Sequence, residues 1–226
     1  MDEGMGVQVV DRHVEVPSRA GALKGILTVP PNPIGVVIFA HGSGSSRFSP
    51  RNSFVARVLQ QGGVATLLMD LLTEEEAGDR SRVFDIDLLT ERLLEATRWV
   101  ERQPWSRDLP IGYFGASTGA AAALKAAARE GSRIAAVVSR GGRPDLAADA
   151  LPRVKSPTLL IVGGDDHPVL ELNRRAFRLL GGEAELSVVP GASHLFEEPG
   201  ALEEVARLAR EWFRRHLGRK RALRAA

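Results

Sequence analysis

Two residue types in this 226-residue chain stand where nucleophilic catalysis would need them: Ser117 and His194, with a pair of carboxylates, Asp165 and Asp166, between them in the chain. A serine hydroxyl attacks well only when a histidine takes its proton, and that histidine works best when a carboxylate fixes its tautomer. Ser117 is the centre of Gly115-Ala-Ser-Thr-Gly119, placed between the apolar run Ile111–Phe114 and an alanine-rich segment. Between a strand and a helix, G-x-S-x-G describes a strained turn that lifts the serine to the positive end of the helix. The rival reading is a glycine-lined turn whose serine only caps the helix. The carboxylates lie in Gly163-Gly-Asp-Asp-His-Pro-Val169, after the run Leu159–Val162, and His194 lies in Pro190-Gly-Ala-Ser-His-Leu-Phe196, ahead of the last helix.

A serine acyl-transfer enzyme also needs two N–H donors aimed at the oxyanion. The loop His41-Gly42-Ser43-Gly44-Ser45-Ser46 follows a run ending at Ala40 and has small residues that let backbone approach a ligand. The expected donors are the amides of Ser43 and of Thr118, the residue after the nucleophile, with Gly42 and Gly44 touching substrate. His41 is read as structural, orienting the loop by hydrogen bonds. A phosphate-cradling P-loop is the alternative, but its lysine is missing. Arg140 and Arg143 lie at another strand end and could bind a substrate carboxylate or phosphate. The plainer reading is a salt bridge to the acidic loop Thr73-Glu-Glu-Glu76 or to Asp145.

The elements that must position these residues are legible as a pattern. Val7–Val16 and Leu23–Val29 read as an antiparallel hairpin at a sheet edge, turning at Ser18-Arg-Ala-Gly21 and stopped by Pro30-Pro-Asn-Pro33. The runs 35–40, 64–70, 110–115, 134–139 and 157–163 are short and almost wholly apolar, as strands buried on both faces of a parallel sheet are. Segments of helical periodicity separate them, around 54–59, 88–100, 120–128, 170–180 and 202–217, with a last strand at 185–189. Alternating strands and helices predict an α/β architecture, a mostly parallel twisted sheet with helices on both faces in a single domain over 1–226. In such sheets ligands bind outside the carboxyl ends of the strands, where every candidate above sits. Residues 74–85 are read as a charged, solvated loop that could rim the site. The stretch 140–156 is too short for a lid domain.

Composition excludes several functions. There is no Cys, which removes disulfide scaffolds, thiolate metal sites and cysteine nucleophiles. Thirty Lys+Arg against 28 Asp+Glu leave a net charge of +2, which is no nucleic-acid footprint. The basic tail, Arg214 to Arg224, is read as a solvated helix end from about 218 onward. Met1–Val10 lacks the basic and apolar regions of a signal peptide, and no run approaches a membrane span, so a cytoplasmic location is expected. A sheet edge or the last helix could support a homodimer, so monomer and homodimer both stand open.

The order serine, acid, histidine, each after a strand, resembles that of the α/β-hydrolase superfamily. More narrowly, His41-Gly-Ser-Gly44, Gly115-Ala-Ser-Thr-Gly119, Gly163-Gly-Asp-Asp166 and Ser193-His194 resemble the dienelactone-hydrolase-like branch of small, lidless enzymes. The resemblance spans nearly the whole chain. It implies an α/β-hydrolase fold and places the acid, as G-x-x-D-x-x-V, on Asp166 ahead of Val169. Asp165 then becomes a turn residue, and Asp145 a less favoured acid that caps a helix or lines the mouth. The family is known for a cysteine nucleophile, where this chain has Ser117. The implied activity is therefore a serine esterase acting on small or accessible carboxylic esters, with no cofactor or metal. Other uses of the triad are a thioesterase, an acyltransferase or a peptidase, and from another class a non-catalytic ligand receptor.

Overall fold

The computed structural model of the protein describes residues 11–225, and the side chains of 11–220. The expected start of the first strand, Val7–Val10, the acidic N-terminus, and the side chains of Arg221 and Arg224 lie outside them. The chain runs β1 (Asp11–Ser18), β2 (Gly21–Thr28), β3 (Gly35–Ala40), α1 (Pro50–Gln61), β4 (Val64–Met69), α2 (Glu74–Ala77), α3 (Arg80–Val83) and α4 (Ile86–Glu101). It continues with β5 (Ile111–Ala116), α5 (Thr118–Glu130), β6 (Ile134–Arg140), β7 (Thr158–Gly163), α6 (His167–Phe177), β8 (Ala184–Val189) and α7 (Ala201–Ala225). The strands form one eight-stranded sheet in the order β1-β2-β4-β3-β5-β6-β7-β8. Only the β1–β2 and β2–β4 pairs are antiparallel; β4 through β8 run parallel.

The apolar runs form the strands expected of them because β3 to β7 are buried at every position. One face packs under Leu89, Leu93 and Val100 of α4 and the alanine-rich α5; the other under Val55 and Leu59 of α1 and Val205, Trp212 and Phe213 of α7. The alanines of α5 (120–123, 126 and 127) are all fully buried, so their small size sets how closely that helix approaches the sheet. The hairpin is tighter than predicted: Ser18 and Gly21 themselves pair, leaving only Arg19 and Ala20 in the turn.

Residues 74–85 are exposed as expected except at Glu76 and Val83, but they are not an irregular loop. They fold into α2 and α3, and Glu76 turns inward to Arg92 at 2.8 Å and Arg82 at 3.1 Å. Its burial would push its pKa up, but the Thr73 backbone N–H and Arg92 hold it below the usual carboxylate range. A charged run on the sequence thus hid a buried ion pair. Between β6 and β7 stand only two short 3-10 turns, Pro144–Ala147 and Leu151–Arg153, and no lid. Helix α7 extends through the basic tail, where Lys220 Nζ donates to the carbonyl of Arg133 at 3.0 Å. Among the described residues no helix is long and apolar enough to cross a membrane.

Candidate active site

Strand β5 ends at Ala116 and α5 begins at Thr118, so a single residue, Ser117, makes the whole reversal. Its backbone sits at φ 50°, ψ −120°, a region L-residues rarely occupy and one that costs about 1–3 kcal/mol. The turn is held from both sides: Ser117 N–H donates to the Arg140 carbonyl at 3.2 Å, and its own carbonyl accepts from Arg143 N–H at 3.1 Å. The flanking glycines are obligatory by contact. A Cβ on Gly119 would lie 2.2 Å from the Ala40 carbonyl oxygen, and one on Gly115 would lie 2.4 Å from Ala120 Cα. The G-x-S-x-G spacing is therefore the condition for α5 to start directly on top of β3 and β5.

His194 Nδ1 meets Asp166 Oδ2 at 2.6 Å. Asp166 is the N-cap residue of α6 yet makes no capping bond, so its carboxylate is spent on the histidine instead. The carboxylate is 11% exposed and the ring 39%, which leaves Nε2 as the ring nitrogen free for exchange with a ligand. Ser117 and His194 line the same cavity. Asp165 is exposed in the turn, its N–H donating to the Ala192 carbonyl at 3.0 Å. Asp145 is bound by Arg143 through two bonds of 2.8 and 2.7 Å, and that contact holds its carboxyl below the usual range. Among the three candidate acids, only Asp166 reaches the histidine.

The oxyanion loop carries a feature that spacing did not reveal. Ser43 N–H donates to Thr118 Oγ1 at 2.9 Å, so the two expected donor residues are tied to each other. The amide of Thr118 opens α5 and has no carbonyl of its own helix to bond. His41 has both ring nitrogens engaged. Leu71 N–H donates to Nε2 at 3.2 Å, which leaves Nδ1 as the donor to the Gly42 carbonyl at 2.9 Å. Burial holds its pKa below the ordinary value against the Gly42 bond and the Asp70 charge. It is a neutral brace for the loop and is not aimed at Ser117.

Two cavities flank that loop. One of about 240 Å³ is walled by Gly42, Ser43, Ser117, His194, Arg51 and Arg140. The other, about 370 Å³, lies across Gly42–Ser45 and is lined by Leu72, Ala77, Val83 and Leu89, with Gly44, Asp70 and Arg47 at its polar side. The helices α2 and α3 thus do rim the site. Arg140 and Arg143, three residues apart in the chain, part company: Arg140 enters the nucleophile's cavity, whereas Arg143 is paired with Asp145 outside it. Arg51 and Asn52, in the first turn of α1, were not singled out from the sequence. The available signal was Ser49-Pro50, a helix start shortly after a strand-end glycine loop. Among the described residues no three His, Asp or Glu side chains gather as a metal site.

A crystal structure of a dienelactone hydrolase from Anabaena variabilis is 56% identical, superposes with a TM-score of 0.90, and matches over 92% of this chain and 99% of that one. Est1E from Butyrivibrio proteoclasticus shares the fold at 17% identity and a TM-score of 0.79, over 91% of this chain and 98% of its own. A protein of Mycobacterium tuberculosis named "Putative phosphoribosyl transferase" is 59% identical over 207 residues, which is 92% of this chain but 47% of that protein. The chain thus spans about half the length of the curated relatives it matches. The sequence model of one family, described as the dienelactone hydrolase family, covers residues 23–217, and with them the elbow, the acid and the histidine. With that match laid over an α/β-hydrolase sheet whose strand ends bring Ser117, Asp166 and His194 together, the chain belongs to the dienelactone hydrolase family.

Proposed function

We propose that this chain is a hydrolase that cleaves carboxylic esters of small or accessible substrates through an acyl-enzyme on Ser117. The observation that carries the reading is the 2.6 Å Asp166–His194 bond in the cavity that also holds the strained Ser117 elbow. His194 Nε2 takes the proton of Ser117 Oγ as that oxygen attacks the ester carbonyl. Asp166 keeps the ring in the tautomer with Nδ1–H and stabilises its positive form. The amides of Thr118 and Ser43 receive the oxyanion, the latter once Thr118 Oγ1 yields it, and each such donor is worth about 3 kcal/mol. Collapse expels the alcohol, protonated by His194. Water then attacks the acyl-serine, giving its proton to His194, and the acid leaves as Ser117 regains its hydrogen. The neighbouring cavity, lined in part by Leu72, Ala77, Val83 and Leu89, suits a short acyl or alkyl group.

The test is intact mass after exposure to an organophosphonate serine probe, alongside hydrolysis of short- and long-chain p-nitrophenyl esters. The expected result is one adduct on the native protein, none on Ser117→Ala, and ester hydrolysis lowered by at least ~10³-fold in that variant. Undiminished hydrolysis by purified Ser117→Ala would overturn the mechanism, and preference for long chains would overturn the short-ester assignment. A second reading, group transfer, is favoured by the name of the Mycobacterium tuberculosis relatives. Release of diphosphate from phosphoribosyl diphosphate by this chain would support it; no release would assign that activity to the half of those relatives that this chain does not span.

A further inference from the structure

Ester chemistry leaves one group in the nucleophile's cavity unused. Arg140 ends β6, the strand between those that carry Ser117 and Asp166, and is only 7% exposed. Its Nε and Nη1 are buried without a hydrogen-bond partner, and among the described residues no carboxylate pairs with it. A guanidinium stripped of water and left without a counter-charge costs several kcal/mol, which a purely structural side chain would not repay. What exposure it retains opens onto the cavity that it lines.

Arg51 lines the same cavity, and its Nε is likewise buried and unpartnered while Nη1 reaches Glu197 at the rim, 3.2 Å away. Burial, with the repulsion of Arg51 added, pushes Arg140 down to about 10, still charged at neutral pH. The cavity also receives the N-terminus of the twelve-residue α1, whose first turn holds no acidic residue to offset its dipole. No Asp or Glu lines this cavity; Asp166 is engaged by His194, Asp145 by Arg143, and Glu197 holds one end of Arg51 while leaving its Nε unpartnered. Two guanidiniums and a helix N-terminus converge on one small space beside the nucleophile.

We propose that Arg140 and Arg51 form a phosphate subsite, so that the ester hydrolysed at Ser117 carries a phosphate group on the same molecule. The substrate assignment rests on the serine-esterase reading; the binding site does not. Phosphate is favoured over carboxylate because the unpaired fork of Arg140 and the free Nε of Arg51 together offer more donors than two coplanar oxygens can use. Arg143, with its fork closed on Asp145, takes no part.

The experiment is calorimetric titration of Ser117→Ala protein, which binds without turnover, with phenyl phosphate, benzoate and benzyl alcohol. Phenyl phosphate is expected to bind tightest and benzyl alcohol weakest. Added Arg51→Ala or Arg140→Lys should each weaken phenyl phosphate by about tenfold or more, the lysine because it keeps the charge but loses the fork. Benzoate binding as tightly as phenyl phosphate, or phenyl phosphate binding unaffected by Arg51→Ala, overturns the subsite. Arg51 is half-exposed, so its variant serves even if Arg140 variants do not fold. Serine-probe labelling of the native protein reads the other claim. Labelling without phosphate binding overturns the subsite alone, and phosphate binding without labelling overturns the esterase while the subsite stands.

Discussion

Arg92 and Arg140 are both buried arginines, 4% and 7% exposed, on opposite sides of the nucleophile's strand, and they are treated in opposite ways. Arg92, on α4, gives Nη2 to Glu76 at 2.8 Å and Nη1 to Glu95 at 3.1 Å, and Glu95 in turn accepts from the backbone of Arg19 at 3.1 Å. That network ties the β1–β2 turn and α2 to α4. Arg140 has no such partners. The difference separates a charge that the fold satisfies from one that the fold leaves for a ligand. Burial and residue type are the same; only the counter-charge distinguishes structure from binding.

The largest effect that would sharpen this contrast is on the paired side. Glu76→Ala takes one of Arg92's two carboxylates, leaving Glu95, and is expected to cost about 2–3 kcal/mol, read from the denaturation midpoint at constant slope. A loss under ~1 kcal/mol would mean that water replaces the carboxylate and that burial near α2 is shallower than it looks.

On the unpaired side the sign should reverse. Arg140→Met removes a stranded charge while keeping most of the volume, so thermal unfolding is expected to shift upward by an amount equivalent to about 1–3 kcal/mol as phosphate binding is lost. Destabilisation of that size would instead make Arg140 a structural residue like Arg92 and break the comparison.

The smallest effect concerns the histidines held neutral by the fold. His41 and His216 both have pKa values lowered from 6.5, chiefly by burial. Below about pH 6.5 the unfolded chain binds protons that these rings refuse when folded, so stability present above that pH is lost as pH falls. Glu76 and Asp145 are lowered too, but from 4.5 and 3.8, so their contribution disappears only in more acid solution. The melting temperature should therefore fall by a few degrees between about pH 7.5 and pH 5.5, and by less in His216→Phe. A flat profile over that range would show both rings to be accessible to protons.

The fold and the nucleophile were legible because each obeys a local rule. Double burial made β3 to β7 read as continuous apolar runs, and the elbow demands glycine at 115 against its own turn at Ala120, while the glycine at 119 answers to the Ala40 carbonyl of β3. Within the exposed residues 74–85, the burial of Glu76 is illegible for a reason of the same kind. Glu74, Glu75 and Glu76 are identical in type, but only Glu76 faces Arg92, and one helical turn decides which. Arg51 was passed over because a helix N-terminal arginine is ordinary until something faces it.

By itself the amino-acid order determined the parallel sheet, the strand ends as the place of the candidate site, and the serine and histidine as its candidate members. These follow from periodicity, steric limits on a turn and the reactivity of side chains, all short-range. Which of Asp145, Asp165 and Asp166 meets His194, whether Ser43 N–H is free, and which of Arg140 and Arg143 stands unpaired were settled only by the tertiary structure. The first two are partnerships between residues 28 and 75 positions apart, and although Arg143 takes a near neighbour in Asp145, what Arg140 meets depends, like them, on where the whole sheet brings it.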